Sequence, residues 1–149
     1  MRNTYLLSFI LLLGVATACK KEDTTPPVAA STVTALTATI DGKQQVPANT
    51  SAATGTFTGS YDSDTKELTY RVEYQGTTPT SAHIHEGGPG KTGLVIIPFA
   101  QLPSPITGKF TCTPSIAQSL LSNGTYVNIH SAADPSYRAG GEIRGDIHK

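Results

Sequence analysis

The sequence predicts an all-β fold, a single antiparallel β-sandwich or Greek-key barrel of about eight strands with one short helix. The clearest support is a stretch in which Leu68, Tyr70, Val72 and Tyr74 alternate with polar residues, because residues two apart share one face of a strand. Short segments of this kind recur along the chain, and glycine or proline lies in most of the gaps between them.

The strands are expected from residue 33 onward, and one helix interrupts them. Thr113 suits a helix N-cap, Pro114 suits the first helical position and Gly124 suits the end, so a helix is predicted over residues 115–121. The predicted strands cover residues 33–40, 54–61, 68–74, 81–85, 94–99, 106–112, 126–130 and 142–147.

The N-terminus has the parts of a secretory signal. Arg2 supplies a basic tip, residues 5–15 form an apolar run, and small residues precede Cys19. The run is too short to span a bilayer, which takes about 20 apolar residues. Small residues that end directly on a cysteine resemble a lipobox, which predicts a signal peptide over residues 1–18 and lipidation of Cys19. The alternative is an ordinary signal peptide with a cysteine nearby by chance.

The residues after Cys19 favour the lipoprotein interpretation. Charged residues at 20–23 precede a Thr/Pro/Ala tract at 24–31, which cannot bury enough apolar surface to fold. Residues 19–32 are expected to form the lipidated N-terminus and tether, and residues 33–149 the β domain. The arrangement is similar to bacterial surface lipoproteins, which implies a membrane partner through the lipid and a location in the bacterial cell envelope, at the outer membrane or cell surface.

Charge and cysteine content exclude some classes of function. Without residues 1–18 the chain has 10 basic and 11 acidic side chains, and nucleic acid is not expected as a partner because affinity for phosphate backbones depends on positive charge. If Cys19 carries lipid, Cys112 has no disulfide partner and is expected to be a buried, inert thiol. The sequence carries no nucleophile motif, so no catalytic residue is predicted.

Three segments each place an isoleucine between two polar residues: His83-Ile84-His85, Asn128-Ile129-His130 and Glu142-Ile143-Arg144. If the isoleucines face the core, the polar side chains share the opposite face of their strands. Three such strands side by side would gather three imidazoles, an amide, a carboxylate and a guanidinium on one outer surface.

The histidines of these segments suggest a metal site for copper or zinc. His83 and His85 stand parallel on one strand, and imidazole is a ligand for zinc, copper, iron and nickel. His130 would be a third ligand, with water or Glu142 in the fourth position.

The alternative is a structural polar network that includes Asn128, Glu142 and Arg144. In that network Glu142 orients an imidazole or pairs with Arg144, and the histidines bind backbone carbonyls. Both interpretations stay open, because the sequence does not establish which strands are neighbours.

Several segments across about residues 35–147 together form a recognisable pattern. They are Gln45-Val46-Pro47, Thr54-Gly55, AHIHEG at 82–87, Gly90, Gly93, YVNIHS at 126–131 and GEIRG at 141–145. These segments resemble the CHRD domain, which was first named from repeats in chordin and is common in bacterial secreted proteins, although Gln45 stands where the family usually has glutamate. The resemblance implies an all-β extracellular module without an established general activity.

These observations support three hypotheses of function. The first is a membrane-anchored, non-enzymatic binding or structural module with an unknown extracellular or periplasmic ligand. The second is a copper- or zinc-binding protein that uses His83, His85 and His130, and the third is a hydrolase that uses the same residues with bound metal.

The segment at 82–85 is also similar to the copper-ligand strand of copper/zinc superoxide dismutase, a Greek-key barrel. Dismutase activity is not expected, because the zinc loop and the disulfide of that enzyme are missing.

Overall fold

The computed structural model describes residues 32–149, and the predicted signal peptide, Cys19 and the tether up to residue 31 lie outside the described residues. The strands are β1 (Val33–Asp41), β2 (Thr54–Asp62), β3 (Glu67–Gln75), β4 (Pro79–Glu86), β5 (Val95–Pro98), β6 (Ile106–Thr111), β7 (Thr125–Ser131) and β8 (Ile143–Ile147). The helices are α1 (Pro114–Leu121), α2 (Pro135–Gly140) and a 3₁₀ turn at Gly42–Gln44.

All eight strands belong to one antiparallel sheet, which curls into a nearly closed barrel. The strand order is β5-β4-β7-β8-β1-β2-β3-β6, so β5 and β6 form the two edges. Three connections join strands that are not neighbours in this order, from β3 to β4, from β5 to β6 and from β6 to β7. The predicted all-β class with about eight antiparallel strands is therefore confirmed.

Alternation along the strands separates the core from the outer face. On β3, Leu68, Tyr70 and Val72 are at most 8 % exposed, and the polar residues that alternate with them face solvent, namely Thr69, Arg71 and Glu73. Strand β7 differs, because all seven of its residues are buried. Both faces of β7 are therefore covered, and its outer face is not a solvent surface.

The short helices match the expected signals only in part. Helix α1 has the predicted cap, since Thr113 Oγ1 accepts a hydrogen bond from the Ile116 amide at 3.4 Å. The prediction of a single helix is wrong, because α2 begins with the same type of signal: Asp134 accepts from the Ser136 amide at 2.8 Å and Pro135 follows it. Helix α2 has no buried residue, so it lacks the apolar periodicity by which helices are recognised in a sequence.

Cys112 is 3 % exposed and forms no disulfide with any described residue. Burial raises the pKa of its thiol, which favours the unreactive protonated form.

None of the helices in residues 32–149 has the length and hydropathy that a membrane span requires.

Candidate metal centre

Strands β4, β7 and β8 lie side by side, and their register puts polar residues of all three on one face. His83 is paired with Asn128, and Asn128 is paired with Arg144. Paired residues share a face, and His130 joins them because it lies two residues after Asn128. The residues between them are fully buried in the core, namely Ile84, Ile129 and Ile143.

The three imidazoles form a compact cluster. The ring centres of His83 and His130 are 5.4 Å apart, those of His83 and His85 are 5.7 Å apart, and those of His85 and His130 are 6.3 Å apart. One ring nitrogen of each residue lies within 4.8 Å of the other two. The structure thus brings together all three histidines that the sequence singles out.

One nitrogen of each ring is buried without a hydrogen-bond partner among the described residues: His83 Nδ1, His85 Nε2 and His130 Nε2. In two of the rings the other nitrogen has a partner. His85 Nδ1 lies 3.0 Å from the carbonyl oxygen of Gly93, and His130 Nδ1 lies 3.0 Å from that of Arg138. A carbonyl oxygen only accepts, so each Nδ1 carries the proton and each Nε2 keeps its lone pair.

The surroundings of His83 and His85 favour the neutral form of both imidazoles. Burial lowers the pKa of His83, and the neighbouring His130 and His85 lower it further. Burial also lowers the pKa of His85, where the bond to Gly93 acts in the opposite direction and is outweighed. The neutral ring is the form that binds a metal ion.

The face that carries these residues is covered. Asn128, His130 and Arg144 are 4 %, 6 % and 1 % exposed. The β4–β5 loop at 87–94 accepts two hydrogen bonds from Arg144, and the segment at 132–141, which contains α2, accepts one from Asn128. Over Asn128, His130 and Arg144 the expected outer surface is in fact an internal layer, whereas His83 and His85 are only partly buried. Alternation specifies the face of a strand but not what packs over that face.

Glu142 does not join the histidines. Its carboxylate accepts a hydrogen bond from Ser51 Oγ at 2.7 Å and another from Thr77 Oγ1. Gly141 has a φ of +91° and β8 begins at Ile143, so Glu142 lies before the strand alternation that would direct it toward the imidazoles. Among the described residues its partners are hydroxyl groups, so it is neither a fourth ligand nor a partner of an imidazole or of Arg144 in this structure.

The buried carboxyl group of Glu142 is stabilised in its charged form. Burial alone would raise its pKa, but hydrogen bonds from Ser131, Ser51 and Thr77 outweigh burial, and the pKa of Glu142 lies below its usual value. Glu142 therefore acts as an anionic acceptor that joins three segments of the chain at the end of the barrel.

Asn128 and Arg144 belong to separate sets of hydrogen bonds. Asn128 Oδ1 accepts from Gln45 Nε2 at 2.6 Å, and Asn128 Nδ2 donates to the Gly140 carbonyl at 3.0 Å. Arg144 is ion-paired with Asp146 at 2.7 Å and donates to two carbonyls of the β4–β5 loop. The predicted members of one polar network thus act at three different places.

Two residues of the site are not in the predicted set, Gln45 and Tyr126. Gln45 is 7 % exposed and reaches Asn128 from a segment far away in sequence. The Tyr126 ring stacks on the His85 ring at 4.9 Å with an interplanar angle of 12°. The period-two rule could have identified Tyr126, which lies two residues before Asn128 on the same strand, whereas no local pattern could have identified Gln45.

The donor set fits a copper or zinc ion. Zinc–nitrogen bonds of about 2.0–2.1 Å in tetrahedral geometry place ligand nitrogens about 3.4 Å apart, so ring movements of about 1 Å would close a cluster whose nitrogens lie within 4.8 Å. The chemistry also fits, because each of the three imidazoles has one buried ring nitrogen with no competing hydrogen bond from the described residues.

The chain was compared with known families, curated proteins and solved structures. The family model of the CHRD domain matches residues 36–147, which is about three quarters of the chain. No curated protein and no solved structure gave a significant match. All three histidines of the cluster lie within the matched residues.

Proposed function

Because the chain belongs to the CHRD domain family and gathers three histidines between β4 and β7, we propose that its domain is a binding module that holds one copper or zinc ion. His83, His85 and His130 are the proposed ligands. The observation that carries the proposal is the set of three buried ring nitrogens without hydrogen-bond partners among residues 32–149. A buried polar atom left unpaired costs about 1–3 kcal/mol, and a shared metal ion would satisfy all three at once.

The hydrogen bonds around the cluster support the same function. In metal-binding histidines the N–H of the second ring nitrogen usually donates a hydrogen bond to a carbonyl or carboxylate. This bond sets the ring orientation and makes the ligand nitrogen more basic. His85 and His130 do this toward Gly93 and Arg138. The predicted structural role of the histidines, binding to backbone carbonyls, is thus compatible with metal binding and does not compete with it.

The ligand chemistry favours copper over other divalent ions. Divalent first-row metals bind nitrogen ligands in an order that rises to copper and falls at zinc, and imidazole suits both. The described residues offer no thiolate at the cluster, since Cys112 is buried in the core.

The proposed place of action is the bacterial cell envelope. A lipid on Cys19 and a tether to residue 32 would hold the domain at a membrane, at the outer membrane or cell surface, where a metal-binding module would meet ions from outside the cytoplasm. The support for this part is the sequence of residues 1–31.

Metal analysis of the untagged full-length protein tests the function. After exposure to micromolar copper or zinc and removal of free ion, we expect one ion per chain by mass spectrometry. The variants His83→Ala, His85→Ala and His130→Ala are expected to lose it. His148→Ala is the matched control, because His148 is an exposed histidine outside the cluster and is expected to bind like wild type.

Two results would contradict the proposal. One is the absence of metal in the wild-type protein at micromolar concentrations of both ions. The other is equal loss of metal in His148→Ala and in the cluster variants, because that pattern would indicate general binding to surface imidazoles.

A further inference from the structure

The two segments that cover the polar face each supply one carbonyl to one histidine. The β4–β5 loop at 87–94 provides the Gly93 carbonyl to His85 Nδ1, and the segment at 132–141 provides the Arg138 carbonyl to His130 Nδ1, both at 3.0 Å. These carbonyls place the proton on Nδ1 and leave Nε2 free as an acceptor. Whatever holds the two segments in place therefore controls two of the three imidazoles.

Arg144 of β8 holds the β4–β5 loop. Its Nη1 donates to the Lys91 carbonyl at 2.8 Å and its Nη2 donates to the Gly88 carbonyl at 2.9 Å. The side chain is 1 % exposed, so these bonds are made away from water and without competition from it. Removal of the guanidinium would leave two carbonyls of the loop without their buried donor. The loop that carries Gly93 would then be held only at its ends, by bonds such as those from the Gly93 amide to Tyr126 Oη and from the Glu86 amide to the Leu94 carbonyl, and would be looser.

Asn128 of β7 holds the other segment. Its Nδ2 donates to the Gly140 carbonyl at 3.0 Å, and its Oδ1 accepts from Gln45 Nε2 at 2.6 Å. The amide is thereby fixed in one orientation, with its donor directed at the segment that carries Arg138. Arg144 and Asn128 thus have the same function on different segments.

We propose that Arg144 and Asn128 are positioning residues of the three-histidine site, an inference that rests on the proposed metal function. Arg144 orients His85 through the loop at 87–94. Asn128 orients His130 through the segment at 132–141. Neither side chain is itself a ligand, and each acts on one histidine and not on the other.

The first test is copper affinity in double variants of the full-length protein, titrated above the micromolar range so that the weaker binding by the two histidines left in each single-histidine variant is still measured. Loss of a partner that orients a metal ligand costs about 10–100-fold in affinity, and we expect that loss in Arg144→Gln and in Asn128→Leu. Adding Arg144→Gln to His85→Ala should cause no further loss, whereas adding it to His130→Ala should. Asn128→Leu should show the opposite pattern.

The second test reads the histidine tautomers without any metal. Nitrogen-15 spectra of the metal-free protein at a pH where the rings are neutral should show His85 protonated on Nδ1. In Arg144→Gln the His85 signals should move toward a mixture of both tautomers, while those of His130 stay unchanged. A variant that is only less stable would not change one ring and spare the other.

Two further variants separate positioning from charge and from misfolding. Arg144→Lys keeps the charge but not the fork that reaches two carbonyls, so it should also mix the His85 tautomers, and it serves if Arg144→Gln does not fold. Asp146→Asn removes the charge of the ion pair at 2.7 Å but keeps an oxygen that can accept from Arg144 Nε, so both carbonyl bonds should remain and the His85 tautomers should match wild type even if the variant is less stable.

The proposal is overturned if the His85 tautomers are unchanged in both Arg144 variants. It is also overturned if Arg144→Gln reduces the copper affinity of His85→Ala as much as it reduces that of His130→Ala. Failure of the proposed function is a separate result. If the wild-type protein binds no metal, the tautomer spectra of the metal-free protein still decide whether Arg144 and Asn128 orient the two rings.

Discussion

The guanidinium carbon of Arg144 lies 3.6 Å from the centre of the Tyr126 ring, and both side chains are almost completely buried. Tyr126 in turn stacks on His85, so a cation, an aromatic ring and an imidazole form one column beside the histidine cluster. Cation–π contacts are strongest where water is excluded. The column therefore links β8 to β4 through the side chains of three neighbouring strands.

Tyr126→Leu should destabilise the domain by about 2–3 kcal/mol, because it removes the contact with Arg144 and the stacking on His85. Tyr126→Phe keeps both and loses only the bond in which the hydroxyl accepts from the Gly93 amide at 3.4 Å, so it should cost about 1 kcal/mol or less. Urea denaturation at neutral pH measures both values. Equal losses in the two variants would show that the hydroxyl, and not the ring, matters.

Glu142→Gln should destabilise the protein by about 1–3 kcal/mol at pH 7, since an amide cannot replace a carboxylate as acceptor for several hydroxyl groups. The folded-state pKa of Glu142 is lowered from 4.5, so its contribution is fully present above that value and disappears as the pH falls through the folded-state pKa. Denaturation at a series of pH values should show the difference between variant and wild type shrinking in acid.

Glu73→Gln is the control for this pH series, because Glu73 is half-exposed in a surface ion pair with Arg71. Surface ion pairs contribute little, so this variant should remain close to wild type. A difference for Glu142→Gln that is constant down to acid pH would contradict the assigned role of its charge.

Gly141→Ala should cost about 2–4 kcal/mol, because the φ of +91° is strained for alanine and a Cβ would overlap the Asn128 amide. Two other glycines separate these effects. Gly90 also has a positive φ but open space around it, so Gly90→Ala should cost only about 1 kcal/mol. Gly140→Ala has neither problem and should not destabilise the domain. Thermal denaturation measures the stability of the three variants, which should rise from Gly141→Ala through Gly90→Ala to Gly140→Ala. Equal stability of Gly141→Ala and Gly140→Ala would refute the prediction.

Cys19→Ser should abolish incorporation of a radioactive fatty acid into the protein and release it from the membrane fraction. The prediction follows from the lipobox-like residues before Cys19. Cys112→Ser is the matched control, because Cys112 is buried in the domain and should not affect labelling. Label that persists in Cys19→Ser would place the lipid elsewhere.

The positions of the strands and of their inward residues are predictable from the amino-acid pattern. Tyr70 and Val72 lie in the core as alternation predicts, and Ile84, Ile129 and Ile143 do the same on the strands of the site. Period-two geometry is local, so the backbone enforces it wherever a strand forms. The prediction that the three histidines lie on the face opposite the inward isoleucines follows from this rule alone.

Which strands are neighbours, and what covers them, follows from the folded chain as a whole and not from any local pattern. The pairing of β4 with β7 and of β7 with β8 brings His83 close to His130, and contacts between residues far apart in sequence leave no local pattern. The same reason explains Gln45 at Asn128 and the loop carbonyls at His85 and Arg144. The residues of a strand determine which of its faces is polar. The free energy of packing a distant segment over that face depends on the whole chain.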